Sequence, residues 1–136
     1  MDEFAFEELD HSADYAVRIS GKDLADLFVH AGQAMFALMQ LPPATATGGS
    51  RLVTINAHDL EELLVRWLDE LLFALEIDGV RLEPKSMEIE NGASLQAEVD
   101  ILPVGLPGKE IKAVTYHGLA ICKKEDGLTA TVVFDV

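Results

Sequence analysis

Residues 59–77 read DLEELLVRWLDELLFALEI, and this stretch decides the fold. Its apolar residues recur at intervals of three and four, which places them on one face of an α-helix. They are Leu60, Leu63, Leu64, Trp67, Leu68, Leu71, Leu72 and Leu75. Asp59 is a suitable N-cap, with Glu62 as its reciprocal partner. The sequence therefore predicts an amphipathic helix over about residues 60–77, with a solvated acidic face opposite the apolar one. That face carries Glu61, Glu62, Arg66, Asp69, Glu70 and Glu76.

A similar pattern predicts an earlier helix over about residues 22–41. Its apolar stripe consists of Leu24, Leu27, Phe28, Ala31, Met35, Leu38 and Met39. Ser20 and Asp23 resemble a capping box at its start. The prolines and glycines of residues 42–50 end this helix and form a loop.

Elsewhere the apolar period falls to two, which is typical of strands. The clearest strands are predicted at residues 15–20, 95–101 and 129–134, and weaker ones at 4–9, 52–55, 82–90 and 113–116. Asn91-Gly92 and Asp126-Gly127 are tight-hairpin signals, which make the late strands antiparallel neighbours. We therefore expect one α+β domain over residues 1–136, a two-layer sandwich of two amphipathic helices packed on a largely antiparallel sheet.

Charge and composition exclude several classes of protein. The chain has 136 residues, with 24 acidic and 10 basic side chains, for a formal net charge of -14. A protein that binds a nucleic-acid backbone needs a cationic surface, so direct nucleic-acid binding is not expected. No apolar run approaches the roughly 20 residues that cross a bilayer. The lone Cys122 cannot form an internal disulfide, which favours a reducing, cytoplasmic environment. Because Cys122 lies in the alternating run of residues 119–122, we expect it to be buried.

The common catalytic sequence motifs are missing. The chain has no phosphate-binding Gly-rich loop ending in Gly-Lys-Ser/Thr and no dinucleotide-binding Gly-x-Gly-x-x-Gly turn. It also has no His-Glu-x-x-His zinc pair, no Cys-x-x-Cys and no twelve-residue calcium loop. Nucleotide chemistry within this chain is therefore not expected.

The end of the sequence suggests a metal site. The last predicted strand alternates up to Asp135 and Val136, so a terminal α-carboxylate would be held beside the Asp135 carboxylate. If Asp14 folds next to them, three carboxylates form an all-oxygen site suited to a hard divalent cation. Calcium is the favoured ion, with magnesium and manganese as alternatives. Asp10, His11 and His117 are candidate supporting residues, although each also fits an ordinary turn or strand end.

Four segments of the chain, in order, resemble the archease family. They are residues 9–14 (LDHSAD), 59–72 (DLEELLVRWLDELL), 110–119 (EIKAVTYHGL) and 134–136 (FDV). The resemblance implies an accessory factor, not an enzyme, that activates the GTP-dependent tRNA-splicing RNA ligase by promoting its guanylylation and multiple turnover. Such a factor would act in tRNA splicing and RNA repair.

The resemblance also implies residue roles. Asp14, Asp135 and Val136, through its α-carboxylate, match the metal ligands of the family. Lys112 matches a functionally important lysine and is expected to contact the ligase or its nucleotide. One segment departs from the family pattern, since residues 101–109 (ILPVGLPGK) form a short apolar stretch where archeases commonly have a longer polar one. This puts in question any partner contact made by the longer loop.

Two other functions remain open from the sequence. The chain could be a small metal-dependent hydrolase acting on RNA or nucleotide ends, with His11 as general base beside a metal-bound water. It could instead be a chaperone-like interaction module with an exposed apolar patch and a merely structural metal. End-processing by this chain alone would favour the hydrolase, and metal-independent binding of diverse unfolded clients would favour the chaperone-like module.

Overall fold

A computed structural model describes residues 6–9, 14–44, 46–90 and 92–136. Within these ranges, two helices and eight strands follow one another. They are β1 (Phe6–Leu9), β2 (Asp14–Gly21), α1 (Leu24–Met39), β3 (Ser50–Asn56), α2 (Leu60–Asp78), β4 (Val80–Glu90), β5 (Ser94–Pro103), β6 (Ala113–Thr115), β7 (Cys122–Lys124) and β8 (Gly127–Asp135). The predicted α+β class is confirmed, because two helices pack against antiparallel strands.

The strands form two sheets where the sequence predicted one. The larger sheet has the order β1-β2-β8-β6, with β7 also paired to β8, and the smaller has the order β3-β5-β4. Every pair is antiparallel. The helices join the sheets, since α1 packs on β2 and β4 while α2 packs on β3, β4 and β6. A strand pattern shows which residues alternate but not which strands share a sheet, so the division was not predictable.

The caps of the two helices explain where they begin and end. In α2, the Asp59 carboxylate accepts a hydrogen bond from the Glu62 backbone N–H at 2.8 Å, as predicted. Gly79 ends α2 with φ of 66°, a left-handed conformation that glycine adopts without a Cβ clash. The capping box of Ser20 and Asp23 predicted for α1 is wrong. Asp23 is itself the N-cap, and its carboxylate accepts a hydrogen bond from the Asp26 N–H at 2.9 Å. Ser20 belongs instead to β2.

One core lies between the helices and the sheets. Trp67 is fully buried in α2, and its ring N–H donates to the Phe28 carbonyl of α1 at 3.1 Å. The helices approach closely where Gly32 faces Leu71, since a Cβ on Gly32 would lie 2.8 Å from the Leu71 Cδ1. The apolar stripe of α2 is buried, with only Leu60 at its start partly exposed. The amphipathic pattern of α2 therefore correctly predicted which face meets the core.

The two late hairpins form as predicted. β4 and β5 are antiparallel, and the Ala93 N–H donates to the Glu90 carbonyl at 3.0 Å across their turn. Asn91 itself lies outside the described residues. The Asp126-Gly127 signal joins β7 to β8, with Lys124 paired to Gly127.

The predicted burial of Cys122 is wrong, because its side chain is exposed. Leu119 and Ile121 are half-buried, but Cys122 begins β7, a short strand that pairs with β8 alone in the described part of the chain and whose three residues are all exposed. Among the described helices, neither is long and apolar enough to cross a membrane.

Candidate functional site

Asp14 and Asp135 are brought together by the pairing of two distant strands. Asp14 begins β2 and Asp135 ends β8, and the two are direct cross-strand partners. Side chains opposite each other in an antiparallel pair share a face, with Cβ atoms about 4.5–5.5 Å apart. Both residues are half-buried. We call Asp14 and Asp135 the acid pair.

The acid pair lies on the face of the larger sheet that points away from the core. Phe134 and Val132 are fully buried on the core side of β8, so the alternation places Asp135 on the other side. The next cross-strand pair on that face, Ala16 with Val133, is buried at 5% exposure each. The acid pair therefore lies at the edge of a covered patch, where its charges are less screened than on an open surface.

A third strand holds the end of β8 in place. Ala113 of β6 is the cross-strand partner of Asp135 on the side away from Asp14. The Lys112 backbone N–H donates to the Asp135 carbonyl at 2.7 Å. Val136 follows directly and is 38% exposed. The backbone around Asp135 is thus positioned by strands on both sides.

The acid pair has the chemistry of a hard-cation site. Two like charges directly opposite each other destabilise a sheet, and a cation between them would offset this. Carboxylate oxygens are the ligands of Ca²⁺, Mg²⁺ and Mn²⁺. Within the described ranges, no three side chains of His, Cys, Asp or Glu cluster well enough to hold a metal. A third protein carboxylate would come from Val136, provided that residue 136 ends the chain.

Of the three candidate supporting residues, His117 alone lies within the described part of the chain. Asp10 and His11 lie outside the described residues. His117 is exposed and follows the end of β6, where its backbone N–H contacts the Thr115 hydroxyl at 3.3 Å. Thr115 pairs with Val133, further along β8 than Asp135. The supporting role of His117 therefore gains no geometric support.

Lys109, which the sequence did not single out, contacts the strand of Asp14 from the face opposite the acid pair. Its ammonium donates to the Tyr15 hydroxyl at 2.8 Å and lies 4.7 Å from the centre of the Tyr15 ring. Tyr15 is the neighbour of Asp14 in β2, and the Lys109 backbone N–H donates to the Met39 carbonyl at 2.9 Å. The short loop that departs from the family pattern therefore carries a cation to the strand of Asp14. Only the tertiary contact reveals this.

Lys112 borders a groove between α2 and β6. The groove has a volume of about 490 Å³. It is lined by Arg66, Asp69, Glu70, Leu72, Phe73, Glu76, Lys112 and Ala113. Lys112 is exposed, and desolvation raises the pKa of the Asp69 carboxyl although the nearby Arg66 lowers it. The acidic face of α2 is therefore one wall of a groove and not simply a solvated surface.

Comparison with known proteins identifies the family. The chain matches the sequence model of the Archease protein family over residues 6–136. It is 34% identical to a Methanosarcina barkeri protein named archease, over 96% of this chain and 95% of that protein. It is also 34% identical to the archease of Methanopyrus kandleri, over 90% of this chain and 91% of that protein.

Two solved structures have the same fold. The solution structure of Methanobacterium thermoautotrophicum protein 1598 gives a TM-score of 0.73 at 28% identity, covering 97% of this chain and 99% of that one. A Thermotoga maritima archease described as a possible chaperone gives 0.66 at 22% identity, covering 96% of each chain, which supports the fold alone. The resemblance of the four segments is thereby confirmed, and the chain belongs to the archease family.

Proposed function

We propose that this protein is a metal-binding accessory factor that activates a GTP-dependent RNA ligase by promoting its guanylylation and multiple turnover. Membership of the archease family supports an accessory role. The single observation that carries the metal-binding part is the cross-strand pairing of Asp14 with Asp135. The net charge of -14 is consistent with a factor that meets a protein partner and leaves RNA binding to the ligase.

The acid pair fits a divalent cation with open coordination positions. Asp14 and Asp135 would hold the ion, and Val136 would add its α-carboxylate where the chain ends at that residue. Few protein ligands leave positions for water or for groups from a partner. When bound, the ion supplies positive charge that phosphate oxygens of a nucleotide can share. The strand pairing keeps both carboxylates oriented before any cation arrives.

Lys112 would contact the ligase or its nucleotide. Its backbone is hydrogen-bonded to the Asp135 carbonyl, while its side chain is exposed at the groove beside α2. This arrangement ties the position of a cationic side chain to the strand that carries the acid pair. A lysine ammonium is a flexible point charge well suited to a phosphate or carboxylate of a partner.

A reconstituted guanylylation assay tests the proposal. Transfer of labelled GMP to the purified ligase is followed with limiting amounts of this protein, and ligated RNA per ligase gives turnover. Asp135→Asn and a chain extended beyond Val136 should each lose at least about tenfold in stimulation, since each removes one carboxylate charge. Glu98→Gln is the matched control, because Glu98 is an exposed acid on β5 of the other sheet.

The outcomes separate the candidate functions. Full stimulation by folded Asp135→Asn would remove the acid pair from the mechanism. Processing of cyclic-phosphate RNA by this chain without ligase would support the metal-dependent hydrolase. Equal binding of diverse unfolded proteins with and without cation would support a chaperone-like module.

A further inference from the structure

Two large apolar side chains are exposed one turn apart on α2. Phe73 is 59% exposed and Ile77 is 65% exposed. Both lie on the solvent side of a helix whose other face is fully used by the core. Residues four apart on a helix are neighbours, so Phe73 and Ile77 form one ridge. The two side chains form a small exposed apolar patch, which a partner side chain of matching shape would cover.

Acidic side chains surround this ridge. Asp69 and Glu70 precede Phe73 by one turn, and Glu76 lies beside it in the wall of the groove. We call Asp69, Glu70, Phe73, Glu76 and Ile77 the α2 surface. A binding surface with an apolar centre and charged surroundings is the usual arrangement of protein interfaces. The charge determines which partner fits, because a basic rim would complement it.

Arg66 compensates the partly desolvated charge of Asp69 only in part. Desolvation raises the pKa of the Asp69 carboxyl by more than Arg66 lowers it. At the N-terminal end of the same helix face, desolvation together with the charges of Glu62 and Asp69 raises the pKa of the Tyr116 phenol. Tyr116 is also 54% exposed. A basic side chain from a partner would favour the charged form of Asp69.

The groove beside the α2 surface reaches β6, the strand next to Asp135. Phe73 lines the groove whose opposite wall includes Lys112 and Ala113. Ala113 is the direct cross-strand partner of Asp135. Adjacent strands are about 4.7–4.9 Å apart, so the groove begins one strand spacing from the acid pair. The acid pair lies on the outer face of this sheet and α2 packs on its core side, so a partner that contacts both extends around the β6 edge.

From these contacts we infer that the α2 surface is the docking site for the protein partner, through a segment that presents an apolar side chain flanked by lysine or arginine. The inference rests on the proposed function, since the partner is taken to be the RNA ligase. The apolar side chain would pack on Phe73 and Ile77 while the basic ones meet Asp69, Glu70 and Glu76. The acidic surroundings disfavour a nucleic-acid backbone or an anionic lipid surface at the same place.

Direct binding to the purified ligase tests the inference. Affinity is measured by titration calorimetry for the wild type, Phe73→Ser and Glu76→Lys at low and high salt. Each substitution should weaken binding at least about tenfold, because exposed aromatic anchors and complementary charges dominate such interfaces. The Glu76→Lys loss should shrink as salt rises, whereas the Phe73→Ser loss should persist.

Matched controls come from the outer face of the smaller sheet. Leu52 is 60% exposed on β3, so Leu52→Ser removes an apolar side chain as exposed as Phe73 from a face that lacks the groove. Glu98→Lys is the corresponding charge reversal. Both controls should bind the ligase as the wild type does. Thermal melts check that every variant is folded.

A parallel measurement keeps the inference distinguishable from the proposed function. The rise in melting temperature on adding Ca²⁺ or Mn²⁺ should be the same for Phe73→Ser and the wild type, because the α2 surface holds no ligand of the acid pair. Wild-type affinity in both Phe73→Ser and Glu76→Lys would overturn the docking surface while leaving the proposed function intact. No binding of the ligase by the wild type would overturn the proposed function and the docking surface with it.

Discussion

Replacing Asp14 by asparagine is expected to shift stability in opposite directions with and without a divalent cation. Asparagine keeps the shape and one oxygen of the side chain but removes the charge that faces Asp135 across the sheet. Without cation, relief of a directly opposed like-charge pair should stabilise the protein by about 0.2–1 kcal/mol. With cation, the same substitution removes a charged ligand and should destabilise the bound form.

The magnitudes follow from the size of the domain. Unfolding entropy of about 2.1 cal/mol/K per residue gives roughly 0.29 kcal/mol/K for this chain of 136 residues. The cation-free gain then corresponds to a rise of about 1–3 °C in melting temperature. A cation at 100 times its dissociation constant stabilises the wild type by about 2.7 kcal/mol, which corresponds to about 9 °C. In Asp14→Asn that second shift should fall by more than half.

Thermal melts in chelator and in saturating Ca²⁺, Mg²⁺ or Mn²⁺ measure both effects on the same variants. Asp135→Asn should behave like Asp14→Asn, and Glu98→Gln should show neither effect. The gain in chelator should shrink in high salt, because the acid pair is only half-buried and its repulsion is screened. A full cation-induced shift in Asp14→Asn would refute the site. A loss of stability in chelator would refute the repulsion argument.

Three further predictions concern other parts of the molecule. Lys112→Ala should abolish stimulation of the ligase yet keep the cation-induced rise in melting temperature. The control Lys123→Ala, at the exposed β7 edge, should keep both. Loss of the cation-induced rise in Lys112→Ala would contradict the assigned contact. Hydrogen bonds from the His58 backbone, and then from its ring, hold the pKa of Glu62 in the folded protein below its ordinary 4.5. Ionised Glu62 therefore stabilises the fold above pH 4.5. This stabilisation is lost as the pH falls through the lowered pKa of the folded state. Glu62→Gln should therefore lower the melting temperature near pH 7 but hardly at pH 3, and equal losses at both would show that the reasoning is wrong. Trp67→Phe removes a buried hydrogen bond of 3.1 Å and part of a fully buried ring. Urea unfolding should therefore show a free energy of unfolding lower by about 1–3 kcal/mol. A decrease below about 0.5 kcal/mol would contradict this prediction.

Local chemistry made the helices predictable from the sequence. The α2 helix could be placed to within a residue because its apolar spacing and the Asp59 cap are both local signals. The same reasoning failed at the start of α1, because Ser20 and Asp23 were both candidate caps and stand close together. In the structure Asp23 accepts from the Asp26 N–H, and the Asp26 carboxylate accepts from the Lys22 N–H. For Cys122, the apolar alternation of residues 119–122 suggested burial, but β7 is an edge strand whose three residues are all exposed.

The candidate site divides in the same way. The sequence alone determined that Asp14 and Asp135 stand at the ends of strands, because the alternation in each strand is a local pattern. Only the tertiary structure decided that they are cross-strand partners, that Lys109 reaches Tyr15, and that Phe73 and Ile77 remain uncovered beside the groove. Strand register and the coverage of a helix face depend on residues far apart in the chain, whose joint packing free energy no local pattern contains.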